Sequence, residues 1–146
     1  MTALSDYLEN NILDYVFRGQ AFTPPSTVYV ALLTAAPSDS GGGIEVTGGS
    51  YARVASAANM TEWSGTQGAG TTVASSGTGG TISNNNVITF PAPTANWGLV
   101  THFAIYDAVS AGNLLVQAAL TASKTINNGD AAPSFAAGAL TNQIDN

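Results

Sequence analysis

The sequence contains no cysteine, one lysine, two arginines and one histidine among its 146 residues. The missing cysteines exclude disulfides, thiol catalysis and cysteine-ligated metals. Three basic against nine acidic side chains give a net charge of −6, so the chain lacks the basic surface that nucleic acid or anionic lipid requires. The sequence also lacks a long apolar run and a signal-peptide pattern. We therefore expect no nucleic acid, no membrane and no signal peptide.

Charge of either sign is scarce as well. Charged residues make up 8% of the chain, compared with about 25% in ordinary soluble domains. Hydrophobic residues make up 45%, and a chain of this length can bury a core as one domain. We predict a single domain over residues 1–146 whose charge-poor surface is suited to contacts with other proteins.

The N-terminal segment 1–20 contains the one convincing helix pattern. Leu8, Ile12 and Val16 recur every four residues and form an apolar stripe, and Gly19 supplies a helix stop. A helix of roughly 13 residues is marginal alone in water. We therefore expect it to dock on the rest of the domain through this stripe.

Two further ranges, 27–55 and 86–146, predict a β-domain. Their short β-branched and aromatic runs are bounded by Gly, Pro and Asn, as strands commonly are. Thr27–Thr34 is apolar on both alternating faces, which is typical of a central strand. Other candidate strands are 44–46, 51–55, 86–90, 99–106, 113–120, 124–126, 134–136 and 139–144. Seven or eight short strands at this spacing predict a mainly β fold, a β-sandwich or jelly-roll-like domain with the helix packed at one end.

The segment 57–85 has a different composition. Residues 64–80 include six glycines and no charge, and Val73 is their only large aliphatic residue. Fixing each backbone residue costs about 1–2 kcal/mol, and these side chains can bury little apolar surface in return. We interpret 57–85 as a long Gly/Ser/Thr-rich extended arm that neighbouring chains order. A self-packed Ω-like loop or strand pair is the alternative.

Four apolar residues of this segment are candidate interface anchors: Met60, Trp63, Val73 and Ile82. They are spread along the segment as contacts to another chain would be. Large aromatic residues often dominate protein interfaces, so we expect Trp63 to bind a pocket on a partner.

No catalytic, metal-binding or cofactor-binding motif is recognisable. His102, on a predicted strand face shared with Val100, has no second histidine or cysteine as a partner. The glycine-rich tract lacks a complete phosphate-binding motif, and Asp39 and Glu45 lack the spacing of a calcium loop. We therefore expect no enzyme activity, no metal, no cofactor and no small-molecule ligand.

Carbohydrate binding remains an open alternative, because five tyrosines and two tryptophans could stack on sugars and β-sandwich folds host many unrelated binding sites. We expect most of these aromatic side chains to fill the core or an interface. Trp97, just before a predicted strand, is expected to cover one end of the sandwich.

Several stretches together resemble a family of small tailed-bacteriophage virion structural proteins. They are LSDYLENNILDYVFRG at 4–19, TPPSTVYVALLTAAPSDSGGG at 23–43, GGSYARV at 48–54, NVITFPAPTANWGLVTHFAIYDA at 86–108, GNLLVQAAL at 112–120 and INNGD at 126–130. The resemblance spans nearly the whole chain. Members of this family are commonly labelled phage tail fibre proteins, and similar proteins include capsid decoration, or cement, proteins. No catalytic residues come with the family.

The resemblance implies a non-enzymatic protein of the phage virion. Our main prediction is a capsid decoration (cement) protein on the outer surface of the head, which stabilises the head by bridging capsomers. Its predicted partners are itself, as a homotrimer, and the major capsid protein. The alternative prediction is a tail or tail-fibre component that contacts the host surface.

Overall fold

The computed structural model describes residues 3–144. In chain order the elements are β1 (Ala3–Leu4), α1 (Asp6–Arg18), β2 (Thr27–Ala35), β3 (Ile44–Glu45), β4 (Val54–Ala57), β5 (Thr81–Ser83), β6 (Ile88–Thr89), β7 (Gly98–Tyr106), β8 (Leu114–Ile126), β9 (Ser134–Phe135) and β10 (Thr141–Gln143). The prediction of a mainly β fold with one N-terminal helix is confirmed. In the described part of the chain, no helix has the length and apolarity needed to cross a membrane.

Six strands form one antiparallel sheet with β2 near its middle. The strand order is β1-β8-β7-β2-β3, and β4 pairs with the first half of β2. Tyr29 of β2, for example, lies opposite Tyr106 of β7 and Ala55 of β4. Val30–Leu33 is buried on both faces, which is why the strand is apolar throughout. The central-strand prediction for 27–34 is confirmed.

Two ribbons, β5–β10 and β6–β9, form a second layer over one face of this sheet. Ile82, Leu140 and Ile88 of the ribbon regions share one core cluster with the sheet. The Phe135 ring meets Phe103 of the sheet edge to face, with their centroids 5.8 Å apart. The core therefore lies between two β layers, as in a sandwich.

Strand β8 is longer than predicted. The candidate strands 113–120 and 124–126 form one element because pairing with β7 continues through Lys124, opposite Val100, and Ile126, opposite Gly98. Two short strands, β1 and β5, were not predicted, because they lie in the segments that we interpreted as helix and as extended arm.

The predicted face assignment in β7 is wrong at Val100. The register shifts between Val100 and His102, where two steps along β7 lie opposite the five steps from Lys124 to Ala119 on β8, and such an irregularity interrupts the alternation of side chains. Val100 therefore joins Phe103 in the main core and is 1% exposed. His102 lies opposite Leu33 on β2, and its Nδ1 is 2.8 Å from the Thr101 hydroxyl.

Helix α1 is bounded by two clear capping residues. Ser5 has extended backbone angles, and its Oγ accepts a hydrogen bond from the Leu8 amide at 3.2 Å. The same hydroxyl donates to the carbonyl of Leu114 on β8, so the N-cap also fixes the start of the helix to the sheet. Gly19 adopts a left-handed conformation at φ 66° and ends the helix.

The helix docks on the domain only through its first half. Leu8 is half-buried and packs against the main core, and Ile12 is also half-buried. Val16 is 60% exposed and Phe17 78% exposed. The predicted docking stripe is therefore correct for Leu8 and wrong for Val16, because the helix leaves the domain surface after its first turns.

A polar cluster beside the sheet explains why the predicted strand 51–55 begins only at Val54. Arg53 makes two parallel bonds to Glu45, from Nε to Oε1 at 2.9 Å and from Nη2 to Oε2 at 2.8 Å. The Tyr51 hydroxyl donates to Glu45 Oε1 at 2.9 Å and accepts from the Leu32 amide at 3.0 Å. Glu45 is thus paired with Arg53 and does not form a site with Asp39.

Arg53 also holds the hairpin loop between β7 and β8. Its Nη1 donates to the carbonyls of Ala108 and Ala111 at 2.8 and 2.9 Å. Ala111 adopts φ 50°, a conformation that costs energy in residues other than glycine. The guanidinium lies 3.7 Å from the ring centroid of Tyr106, and its side chain is 7% exposed. Paired and bonded in this way, the buried charge fixes the loop.

Ionisation of Tyr51 makes the stability of this cluster depend on pH. Burial raises the pKa of its hydroxyl well above the ordinary value, and the Glu45 carboxylate adds to the rise against the opposing effect of the Leu32 amide. Because the folded-state pKa exceeds the unfolded one, the unfolding free energy is maintained below about pH 10 and falls as the pH rises further.

We predict that Tyr51→Phe lowers the unfolding free energy at neutral pH by about 1–3 kcal/mol, because the Leu32 amide and Glu45 each lose a partner. Between about pH 10 and pH 12 the variant should lose less further stability than the parent. Urea unfolding across this range measures both effects. Equal slopes in the two proteins would contradict the assigned role of Tyr51.

Candidate functional site

The glycine-rich loop, residues 57–85, folds back on its own domain. Trp63 and Asn84 form a β-bridge near its two ends, and the Ser64 amide donates to the Ser83 carbonyl at 2.8 Å. Strand β5 within the loop pairs with β10. The predicted extended arm is corrected here to the self-packed alternative, since backbone groups of the loop find partners in the same chain.

Small polar side chains order the interior of this loop. Asn85 accepts from the Gly70 amide at 2.9 Å and donates to the Thr71 carbonyl at 3.0 Å. The Thr71 hydroxyl donates to the Gly68 carbonyl at 2.7 Å and accepts from the Gly65 amide at 2.9 Å. Apolar burial can stabilise so glycine-rich a tract only weakly. Hydrogen bonds to side chains therefore provide the stabilisation of the loop instead.

Asn84 joins the loop to the segment before β10. Its side chain is fully buried, and Nδ2 donates to the carbonyls of Asn86 and Ala136, both at 2.8 Å. Its Oδ1 accepts from the Leu140 amide at 2.9 Å, and its backbone carbonyl accepts from the Gly138 amide at 2.7 Å. Both amide hydrogens and the amide oxygen are therefore satisfied. Sequence reasoning missed this residue, because nothing in SNNN sets one asparagine apart.

An apolar groove of about 910 Å³ lies between the glycine-rich loop, the sheet and the base of α1. Val28, Ile105 and Leu115 on the sheet are among its lining residues, and Leu4 and Leu8 line it at the N-terminal side. The groove contains no charged lining residue among those described. Its lining is suited to an apolar protein surface and has no titratable side chain for catalysis.

Three of the four predicted anchor residues line this groove: Met60, Trp63 and Ile82. Met60 is 55% exposed, whereas Trp63 is 9% exposed and belongs to the core of its own domain. Val73 is absent from the lining and is 61% exposed on the loop. The expectation that Trp63 projects towards a partner is therefore wrong, because its ring helps to build the groove.

Two buried polar atoms of groove residues have no hydrogen-bond partner within the described chain. They are Nε1 of Trp63, a donor, and Oδ1 of Asn142, an acceptor. Buried polar groups are nearly always paired in folded proteins, and leaving one unpaired costs about 1–3 kcal/mol. The groove thus combines an apolar lining with one donor and one acceptor that a bound partner could satisfy.

The other candidate side chains are not assembled into a site. Trp97 is 5% exposed and donates to the Gly49 carbonyl at 3.0 Å, so it is packed where a sugar could not stack on it. Within residues 3–144, no group of three His, Asp or Glu side chains is placed to hold a metal ion. Tyr15 and Phe17, both on α1, are the aromatic residues more than half exposed in the described range.

We predict that Asn84→Asp destabilises the fold by about 2–3 kcal/mol, since a carboxylate cannot donate to the Asn86 and Ala136 carbonyls that the amide now serves. Cleavage by a protease within 64–80 should become faster as the loop loosens. Asn10→Asp on the exposed surface of α1 is the matched control and should change stability by less than about 0.5 kcal/mol. If urea unfolding and proteolysis cannot distinguish the two variants, Asn84 does not hold the loop.

Comparison with protein families gives a match that covers nearly the whole chain. A family model described as podophage GP4 fiber I protein gp80 matches residues 3–143. The matched range includes the sheet, both ribbons and the glycine-rich loop. A search of curated proteins gives no match. The family match supports the resemblance to phage virion proteins that the sequence motifs indicated.

Proposed function

We propose that this chain, which belongs to the family described as podophage GP4 fiber I protein gp80, is a structural component of a phage tail or tail fibre. The family match identifies a bacteriophage structural protein, and the description of the family as a fibre protein carries the proposal. That description favours the tail-fibre alternative over our main prediction of capsid decoration.

The proposed role depends on contacts with other protein chains rather than on catalysis. Two features support it: an apolar groove without charged lining residues, and a helix whose second half is largely exposed. The chain itself, as the predicted homotrimer, is the first partner we propose. Because few charges are available for these contacts, we expect association to depend only weakly on ionic strength.

Contact with the host through stacked sugars is not part of the proposal. The side chains of Trp63 and Trp97 are buried, and the Tyr106 ring is covered by the Arg53 guanidinium. The aromatic residues that the sequence offered for stacking are thus largely used in the fold. This supports a role in building the fibre rather than in reading a glycan.

The location in the particle provides the test. Purified phage particles would be labelled with an antibody fragment raised against the folded chain and imaged, and the copy number measured against the major capsid protein by quantitative mass spectrometry. We expect label on tail-associated fibres and far fewer copies than of the capsid protein. Label spread over the head, with a copy number in proportion to the capsid protein, would overturn the proposal and restore capsid decoration.

A further inference from the structure

We propose that the apolar groove binds the second half of helix α1 from another copy of this chain. The inference deepens the self-association part of the proposed function, and it does not depend on where in the virion the chain lies. Leu13, Val16 and Phe17 are 52%, 60% and 78% exposed. Apolar side chains so exposed on one short helix commonly mark a contact surface.

The spacing of these three residues suits a helix that lies in a groove. Leu13, Val16 and Phe17 stand at positions i, i+3 and i+4, the pattern with which amphipathic helices anchor in apolar grooves. They form one contiguous face, since residues three and four apart are neighbours on a helix surface. This face differs from the one through which Leu8 docks on its own domain.

The groove of the same chain cannot receive this face. Leu8 lines the groove at the base of the helix, and α1 continues without interruption to Arg18. Phe17 therefore lies about 13.5 Å further along the helix axis, at 1.5 Å per residue. Because the helix leads away from its own groove, only a second copy can bring Leu13, Val16 and Phe17 into it.

The electrostatic properties of the two surfaces match. The groove has no charged lining residue, so an unpaired charge entering it would lose its hydration. In the second half of α1 the charged residues are Asp14 and Arg18, which pair with each other at 2.7 Å. Both lie on the side of the helix opposite Val16, because residues two apart are separated by about 200° at 3.6 residues per turn. The apolar face can therefore enter the groove while the ion pair stays in water.

One polar group of the groove matches as well. The last carbonyls of any helix have no partner within it, so the end of α1 presents acceptors for the unpaired Nε1 donor of Trp63. An incoming α1 thus offers a partner for the unpaired donor of the groove.

The available area indicates that each copy takes part in two such contacts. An aromatic side chain can bury 150–250 Å², so the exposed residues of the second half of α1 offer about 400–500 Å². Counted on both surfaces, one helix-in-groove contact then buries about 800–1,000 Å², below the standard range of about 1,200–2,000 Å² for a stable interface. Each copy carries one helix and one groove, so in a ring it takes part in two such contacts. A closed assembly that uses every helix and every groove, as the predicted homotrimer would, brings the area per copy into the standard range.

Cross-linking between differently tagged copies tests the geometry. The sequence has no native cysteine, so disulfides can form only between the introduced residues. One copy would carry Phe17→Cys and the other Met60→Cys, and the mixture would be oxidised at concentrations where the parent chain associates. We expect disulfide-linked heterodimers to form at least about tenfold faster than either homodimer. The control replaces Met60→Cys by Val109→Cys, which is also highly exposed, at 63%, but lies outside the groove lining.

Sedimentation of charge variants provides the second measurement. Val16→Glu should weaken self-association at least about tenfold, as expected for loss of a central contact, without changing the melting temperature of the dilute chain. Val109→Glu should leave association unchanged. The inference would be overturned by a parent chain that stays monomeric at about 0.1 μM, a concentration about 100-fold above the dissociation constant of a nanomolar complex. Preferential Phe17–Phe17 linkage, or equal effects of the two Glu variants, would also overturn it. Since no phage particle is used, these outcomes are independent of the fibre location.

Discussion

The buried amide of Asn84 is the interaction on which the shape of the candidate site depends. It connects the end of the glycine-rich loop to the segment before β10 through two side-chain hydrogen bonds, to Ala136 and Leu140, and bonds to the Asn86 carbonyl with its second amide hydrogen. In a buried setting a fully satisfied polar group fixes a unique geometry, whereas a half-satisfied one is costly. Together with the pairing of β5 with β10, Asn84 holds Trp63 and Ile82 on one side of the groove.

The composition of the chain is explained by where its apolar residues lie. Much of the apolar content fills the space between the sheet and the two ribbons, but a substantial part remains outside, in the groove and on the second half of α1. Ser5 connects these two surfaces, because its hydroxyl caps the helix and also bonds to β8. The direction in which α1 leaves the domain is therefore set by the same residue that begins it. A chain with so few charges and two exposed apolar surfaces is suited to contacts with other chains in an assembly.

Local patterns in the sequence predicted the elements in which apolar residues are regularly spaced. They failed where the structure depends on polar pairs between residues far apart in the chain. The helix and the central strand at 27–34 follow from the spacing and burial of apolar residues, and both are found. Asn84 forms hydrogen bonds to residues 52 and 56 positions away, and Arg53 pairs with Glu45. Neither contact produces a periodic pattern in the sequence. The bulge at Val100 likewise has no local signature. Met60, Trp63 and Ile82 were identified as apolar residues in polar surroundings, but only the fold reveals that they line a groove.

Amide hydrogen exchange of the dilute, monomeric chain tests most directly whether the loop is ordered by its own domain. The amides of Ser64, Asn84 and Leu140 bond to groups across the base of the loop, and exchange of such amides requires the loop to open. We expect them to be protected in the monomer to a degree close to that of the amides of β2 and β7. Exchange near the rate of an unstructured peptide in the monomer, with protection gained only on association, would show that neighbouring chains order the loop and would contradict this account.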